Sequence, residues 1–303
     1  QNRVLIGRIA DLDLQPIRGP ASGCIRAVGA LRHDTFQTLP LGFGEKFRAV
    51  RFAVAAEGEP LPTPTPADQQ TTVLITGASR GIGLEFAQRY AARDWRVLAT
   101  CRDPGRAEAL QALAKKHANL VVEPLDVLDH AGIDALAARY ATQPIDILLN
   151  NAGIGGGMEN QLFGRLNYAT FNEVMAVNAI GPMKVCEAFV KHVEASRLRK
   201  MMTVSSSQGS IGSVDAARLY WYRSSKSALN MLMVNLAFQL KSRGIIVGLV
   251  TPGATDTDFM KGLPKKMLRP VADAVTDMVR EIDRFDLSMT GQFLDTKGQI
   301  LPW

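Results

Sequence analysis

The sequence predicts an α/β domain with a doubly wound parallel sheet and helices on both faces, preceded by an N-terminal extension. Three observations carry that expectation. From Thr71 onward, short and almost wholly apolar runs alternate with longer helical ones; strands apolar throughout are those buried on both faces, as in a parallel sheet between helix layers. A glycine-rich turn joins the first such run to the first helical one, the connection at which sheets of this kind bind ligands. The 303 residues, 47% hydrophobic and 21% charged, suffice for one large α/β domain with a well-buried core.

The elements follow in order. Residues 73–76 read as a strand that runs through the glycine turn into a helix ending near Tyr90. Further strands are expected at 96–100, 120–124, 145–149, 201–205 and 245–250, with the last at 291–295. Helices are expected over 106–116, 133–140, 171–194 and 222–241. Residues 1–70 show no sustained period, and glycine and proline punctuate them repeatedly. They close on Pro60-Leu61-Pro62-Thr63-Pro64-Thr65-Pro66, an extended spacer that supports neither a ladder nor a helix. The domain boundary is therefore placed near Thr71, with 1–70 as an extension and 71–303 as the functional domain.

Composition narrows the function classes. A net charge of +6 suits an anionic partner, but the basic residues are scattered, which argues against nucleic acid. No apolar run is long enough to cross a bilayer, and no secretory signal opens the chain. Cys24, Cys101 and Cys186 stand far apart without CxxC spacing, so neither a disulfide framework nor a metal site is expected, and a reducing cytoplasm is.

Thr76-Gly77-Ala78-Ser79-Arg80-Gly81-Ile82-Gly83 lies between the first strand and the first helix. Gly77 permits the tight turn, Gly81 lets backbone approach a ligand, and Gly83 lets the helix pack on the strand. The amides of the helix N-terminus then face a pyrophosphate. The spacing is GxxxGxG, and here the sequence resembles the short-chain dehydrogenase/reductase family, whose fingerprint is TGxxxGxG on a Rossmann fold. Other motifs fall in the family's order: Asn150-Asn151-Ala152-Gly153 after the fourth strand, Asp126-Val127 after the third, and Pro252-Gly253 after the sixth. The resemblance implies cofactor contacts along Gly77, Ser79, Arg80, Gly81, Ile82, Gly83, Asp126, Val127, Asn150, Ala152, Gly153, Pro252, Gly253, Thr255 and Thr257.

The cofactor implied is a nicotinamide dinucleotide. A unit that prefers NAD(H) wants a carboxylate at the end of the second strand for the ribose hydroxyls. Here that strand ends Thr100-Cys101-Arg102, with Asp103 one residue further on. Arg102 and Arg80 are cations suited to bidentate contact with a 2′-phosphate, so NADP(H) is expected over NAD(H).

Tyr222 and Lys226 stand four apart on an expected helix and share a face. A lysine ammonium ~5 Å away stabilises a phenolate by about 3 kcal/mol at an effective dielectric of about 20, roughly 2 pKa units. That predicts a lowered Tyr222 pKa and a useful general acid–base. Tyr220 has no lysine one turn on. Ser205-Ser206-Ser207-Gln208-Gly209 follows the fifth strand, and the family's serine maps onto Ser206, where a hydroxyl stabilises charge on a substrate oxygen. The interval from Ser206 to Tyr222 exceeds the family's usual one, implying extra residues in the 211–219 loop. The resemblance adds Asn178, which holds a water linking Lys226 to solvent, and gives Lys226 a second role on the nicotinamide ribose. Its implication is an NADP(H)-dependent oxidoreductase interconverting a small carbonyl compound and its alcohol, with Asn178, Ser206, Tyr222 and Lys226 as the catalytic group.

Substrate selection in the family resides in the loop after the PG turn, here 254–269. Phe259, Met260, Leu263 and Met267 can line an apolar pocket or equally anchor a lid, and Lys261, Lys265 and Lys266 are a faint candidate for docking an acidic carrier. The TCRDP run, the lengthened serine segment and the Leu301-Pro302-Trp303 ending resemble a subgroup of sniffer-type carbonyl reductases and C-factor signalling proteins. Two alternatives follow: a signalling or cofactor-sensing protein on the same fold, and a 3-oxoacyl-thioester reductase. Family members pair through two long helices, which implies a homodimer or homotetramer. Met231, Met233, Leu236 and Phe238 serve either that interface or the core.

Overall fold

In a computed structural model of the chain, the residues described are 70–258 and 264–303, with four short strands nearer the N-terminus. The chain divides into two compact units, Gln1–Leu61 and Pro62–Trp303. In the first, Leu14–Pro16 pairs antiparallel with Ile25–Ala27, and Phe36–Leu39 with Val50–Ala53. Strands of three and four residues are too short to leave an alternation in the sequence, which is why no period was expected there. Cys24, the proline-rich run at 60–66, and Phe259, Met260, Lys261 and Leu263 lie outside the described residues.

The second unit is built on seven parallel strands: β1 (Thr72–Ile75), β2 (Arg96–Cys101), β3 (Leu120–Pro124), β4 (Ile147–Asn150), β5 (Lys200–Val204), β6 (Ile246–Val250) and β7 (Phe293–Leu294). Their order across the sheet is β7-β6-β5-β4-β1-β2-β3. The chain thus works outward from β1 in one direction, returns to β4, and works outward in the other. The crevice between β1 and β4 at their carboxyl ends is the switch point where such sheets take ligands.

Side chains alternate across the pleat and feed two cores. Val73, Ile75, Val97, Ala99, Ile147, Leu149, Met202 and Val204 face α1 (Gly81–Ala91) and α2 (Glu108–Lys116). Leu74, Leu98, Leu148, Met201, Val247 and Leu249 face α3 (His130–Arg139), α5 (Gly181–Glu194) and α6 (Tyr220–Leu240). On α6, Met233 and Leu236 belong to this core, whereas Met231 and Phe238 are exposed.

Two features depart from the expected elements. A further helix, α7 (Val271–Arg284), completes the α1 face through Val275, Met278, Val279 and Ile282. The helix expected over 171–194 is instead α4 (Tyr168–Met175), a π turn at Ala176–Ile180, and α5. Pro182 explains the break: it carries no N–H to return to the Asn178 carbonyl four residues back. Through the π turn the Gly181 N–H bonds to the Ala176 carbonyl, five residues back.

Candidate active site

The glycine turn after β1 is backbone fitted to backbone. Gly77 lies at φ +69°, where a Cβ would come within 2.8 Å of the Ala152 Cα. A Cβ on Gly83 would sit 2.2 Å from the Gly77 carbonyl and 2.5 Å from the Asn151 amide nitrogen. The strand ends are laced together by Thr76, whose hydroxyl accepts the Asn151 N–H at 3.0 Å and the Ala152 N–H at 3.1 Å. Asn151 in turn donates to the Thr76 and Gly77 carbonyls. Asn150 faces the other way: it is buried, and its amide donates to the Pro182 carbonyl and to Cys186 Sγ. Ser79 is half-buried, and Ile82 packs against the core, leaving its main chain at the start of α1.

The other expected cofactor residues lie in the loops that follow β2, β3 and β6. Asp126 accepts the Leu128 N–H at 3.0 Å. Val127 packs where a Cβ on Gly181 would clash with it. Thr255 is buried and donates to the Pro252 carbonyl at 3.1 Å, and a Cβ on Gly81 would lie 3.8 Å from the Thr257 methyl. The loop after β6, with Pro252 and Gly253, thus returns to the glycine turn. Arg102 is exposed just past β2. Asp103 accepts the Arg106 N–H and caps a short 3₁₀ turn. Arg80 forms an ion pair with Asp258, 178 residues on, a contact no spacing announced.

The remaining four residues gather at the ends of β4 and β5 and the start of α6. A hydrogen bond joins Tyr222 to Ser206. Ser206 Oγ also accepts the Gln208 N–H at 3.2 Å. Ser205 is buried and bonds to Asn230 at 2.6 Å, so it serves packing, and Tyr220 lays its ring 6.2 Å from Phe163. Lys226 is buried, with Nζ donating to the Val204 carbonyl at 3.1 Å and lying 5.9 Å from the centre of the Tyr222 ring. Asn178, inside the π turn, accepts the Ile154 N–H and donates to the Ile154 carbonyl, both at 2.8 Å, and to Ser225 Oγ at 3.0 Å. Both ends of its amide are therefore engaged.

Electrostatics correct one expectation. The Tyr222 phenol is raised, not lowered: burial pushes it up, opposed only by the Ser206 hydrogen bond. Lys226 is pushed down to about 8 by its own burial. Among the described residues no acid forms an ion pair with it. A buried ammonium without a counter-charge is expensive, and such groups cluster at functional sites. A Cβ on Gly153 would lie 3.7 Å from Nζ and 3.2 Å from Asn178 Oδ1, so the glycine keeps the approach to the ammonium open. That open, donor-rich cradle fits the hydroxyl and phosphate groups of a dinucleotide.

The glycine turn, the NNAG turn and the Ser206–Tyr222–Lys226 cluster all lie in the region matched by one family. Residues 71–268 fit the model of the short chain dehydrogenases. The chain belongs to the short-chain dehydrogenase family. It is 32% identical to the NADPH-bound carbonyl reductase from chicken fatty liver, with a TM-score of 0.71, over 78% of this chain and 100% of that one. A short-chain dehydrogenase/reductase from Burkholderia multivorans with bound NADP is 31% identical, with a TM-score of 0.69 over the same shares. C-signal of Myxococcus xanthus is 34% identical over 56% of this chain and 99% of its own length.

Within this short-chain dehydrogenase, sequence reasoning passed over several site residues. Asn151, not Asn150, ties the two turns together. Ser225, buried beside Tyr222, passes Asn178 to the Tyr222 carbonyl through Ser225 Oγ, which donates at 2.8 Å. Gln161, 2% exposed, accepts the Tyr222 N–H at 2.8 Å and donates to the Gly155 and Gly157 carbonyls at 2.7 and 2.8 Å. The lengthened 211–219 loop is held by Arg223, which donates to Gln208, Ala216 and Asp215. None of the described helices is long and apolar enough to cross a membrane.

Proposed function

We propose that this oxidoreductase interconverts a small carbonyl compound and its alcohol using NADP(H), with Tyr222 as general acid–base and Ser206, Lys226 and Asn178 in support. The observation that carries the reading is the Tyr222–Ser206 hydrogen bond beside a buried ammonium that pairs with no acid among the described residues. When bound, NADP(H) supplies or accepts the hydride. The cradle for it is Gly77, Ser79, Gly81 and the first turn of α1 for the pyrophosphate, Asp126 and Val127 for the adenine side, Ala152 and Gly153 at the crevice, and Thr255 and Thr257 opposite. Arg102 and Arg80 favour a 2′-phosphate, so NADP(H) is preferred over NAD(H).

Each side chain then has one task. Ser206 donates to the substrate oxygen and holds charge that develops there. Tyr222, its phenol pushed up by burial, remains protonated at neutral pH and gives that oxygen its proton. The Lys226 ammonium donates to ribose hydroxyls and steadies the phenolate left behind. Asn178 has no free side-chain group, so its main-chain carbonyl, which Pro182 cannot bond, holds the water that returns the proton.

The same reading places the protein in a reducing cytosol, where the buried thiols of Cys101 and Cys186 stay free. It pairs copies of the chain through α5 and α6, with Met231 and Phe238 exposed on α6. NADPH consumption measured against aldehydes, ketones, quinones and acyl thioesters tests the function. Turnover of a carbonyl class supports it, turnover of acyl thioesters alone moves the assignment to a 3-oxoacyl-thioester reductase, and no turnover of any class removes the enzymatic reading. Likeness to C-signal over nearly that protein's whole length favours a second reading, signalling on the same fold. A Tyr222→Phe protein that binds NADPH yet keeps its biological effect would support it.

A further inference from the structure

Gln161 stands out as a fully buried amide in an otherwise exposed stretch. Residues 162–165 that follow it are all exposed, including Leu162 and Phe163. Burying an amide is costly unless its polar atoms find partners. A glutamine amide offers one acceptor and two N–H donors, and all are used: Oε1 takes the Tyr222 N–H, and Nε2 gives to the Gly155 and Gly157 carbonyls.

Both partners need what Gln161 supplies. The first-turn N–H groups of a helix have no intrahelical acceptor. The residue before α6 is Leu219, in the left-handed conformation at φ 52°, and its side chain makes no cap. Gln161 thus caps the Tyr222 helix from outside, across 61 residues of chain. The other partner is the run Gly155-Gly156-Gly157, with Gly156 and Gly157 at φ +77° and +71°. Three glycines carry the greatest backbone freedom to be lost on folding, and the amide clamps both sides of them. The same loop begins at Ile154, whose N–H and carbonyl are both held by Asn178.

We propose that Gln161 is a positioning residue for the reaction: it fixes the Tyr222 backbone to the loop that Asn178 holds, and so sets where the phenol stands relative to Ser206. The inference rests on Tyr222 being the general acid–base. Trp221 adds further anchors at the start of α6, through its ring on Phe171 and its N–H on the Asn160 carbonyl.

The test measures steady-state turnover and NADPH binding for wild type, Gln161→Ala, Gln161→Glu and Tyr222→Phe. For Gln161→Ala, kcat falls by roughly 10- to 100-fold, as a displaced catalytic group demands, while the NADPH dissociation constant is unchanged. Gln161→Glu adds a readout that packing alone would not move. Its carboxylate can accept the Tyr222 N–H but has no proton for the glycine carbonyls, and burial beside them holds its pKa above the ordinary carboxylate value of about 4.3. Its turnover relative to wild type therefore rises as pH falls from about 8 to about 5. Wild-type kcat in Gln161→Ala, or a flat Gln161→Glu ratio across pH, overturns the proposal while Tyr222→Phe is inactive. Active Tyr222→Phe instead overturns the assignment of the acid. Should the variants fail to fold, hydrogen exchange of the wild-type Tyr222 amide decides: slow exchange, unusual in a first helical turn, supports the clamp, and fast exchange refutes it.

Discussion

On the β1 side of the crevice the working surface is backbone. Gly77, Gly83 and Ala152 approach so closely that no side chain fits between them, and the Thr76 hydroxyl and the Asn151 side-chain amide fasten the two turns by bonding to main-chain groups. On the β4–β5 side the residues are Ser206, Tyr222 and Lys226: the Tyr222 main chain is held by Gln161 across 61 residues and by Ser225, which Asn178 in turn holds, and Lys226 by the Val204 carbonyl. The first region can be tight because, in the proposed function, it offers amides to an anion, a task independent of sequence once the turn is made. The second must tolerate an ammonium lowered and a phenol raised by burial. It is held by many weak ties and stores instability where chemistry is needed.

Substitutions can break or sharpen that contrast. The largest effect is expected on the side-chain half: Ser206→Ala should lower kcat by about 10²- to 10³-fold without altering NADPH affinity, read from steady-state kinetics and a binding titration. The backbone half should respond in the opposite way. In Gly83→Ala a Cβ meets the Gly77 carbonyl at 2.2 Å; unfolding should show a loss of about 1–3 kcal/mol, with weakened NADPH binding.

Lys226→Met should separate stability from activity. The native ammonium has a pKa of about 8 against 10.5 in an unfolded chain. Below pH 8 both states hold the proton, and the native one bears the cost of burying it. As pH rises through 8 the native lysine loses its proton while the unfolded one keeps it, so stability rises until about 10.5. Methionine should therefore stabilise the protein by about 1–2 kcal/mol at pH 7, with the advantage gone near pH 10 and turnover lost throughout, as thermal unfolding against pH would show. Arg102→Asp has the smallest expected effect, about a tenfold shift of preference from NADPH toward NADH. Unchanged selectivity would remove Arg102 from the cofactor site.

What was legible in the sequence follows the same division. The glycine turn, NNAG and the Tyr222–Lys226 pair are short spans whose spacing is their chemistry, and most strands of the sheet are short, mainly apolar runs. The α7 stripe of Val271, Ala274, Val275, Met278 and Ile282 also has helical spacing, but the charges between them, Asp273, Asp277, Arg280 and Glu281, hid it behind the preceding loop. Pro182 was a visible sign that a 24-residue helix would break. Gln161 meets Tyr222 across 61 positions and Arg80 meets Asp258 across 178, and no periodicity reports such pairs. The direction of the Tyr222 shift was illegible for another reason: proximity to lysine shows in the spacing, whereas burial is a property of the whole fold.

The central claim is that the Tyr222 hydroxyl carries the proton. A single-turnover experiment on Tyr222→Phe tests it most directly, following NADPH fluorescence on mixing with a carbonyl substrate turned over by the wild type. The account predicts an intact binding signal followed by oxidation slowed by about 10³-fold or more. Oxidation at the wild-type rate would contradict it.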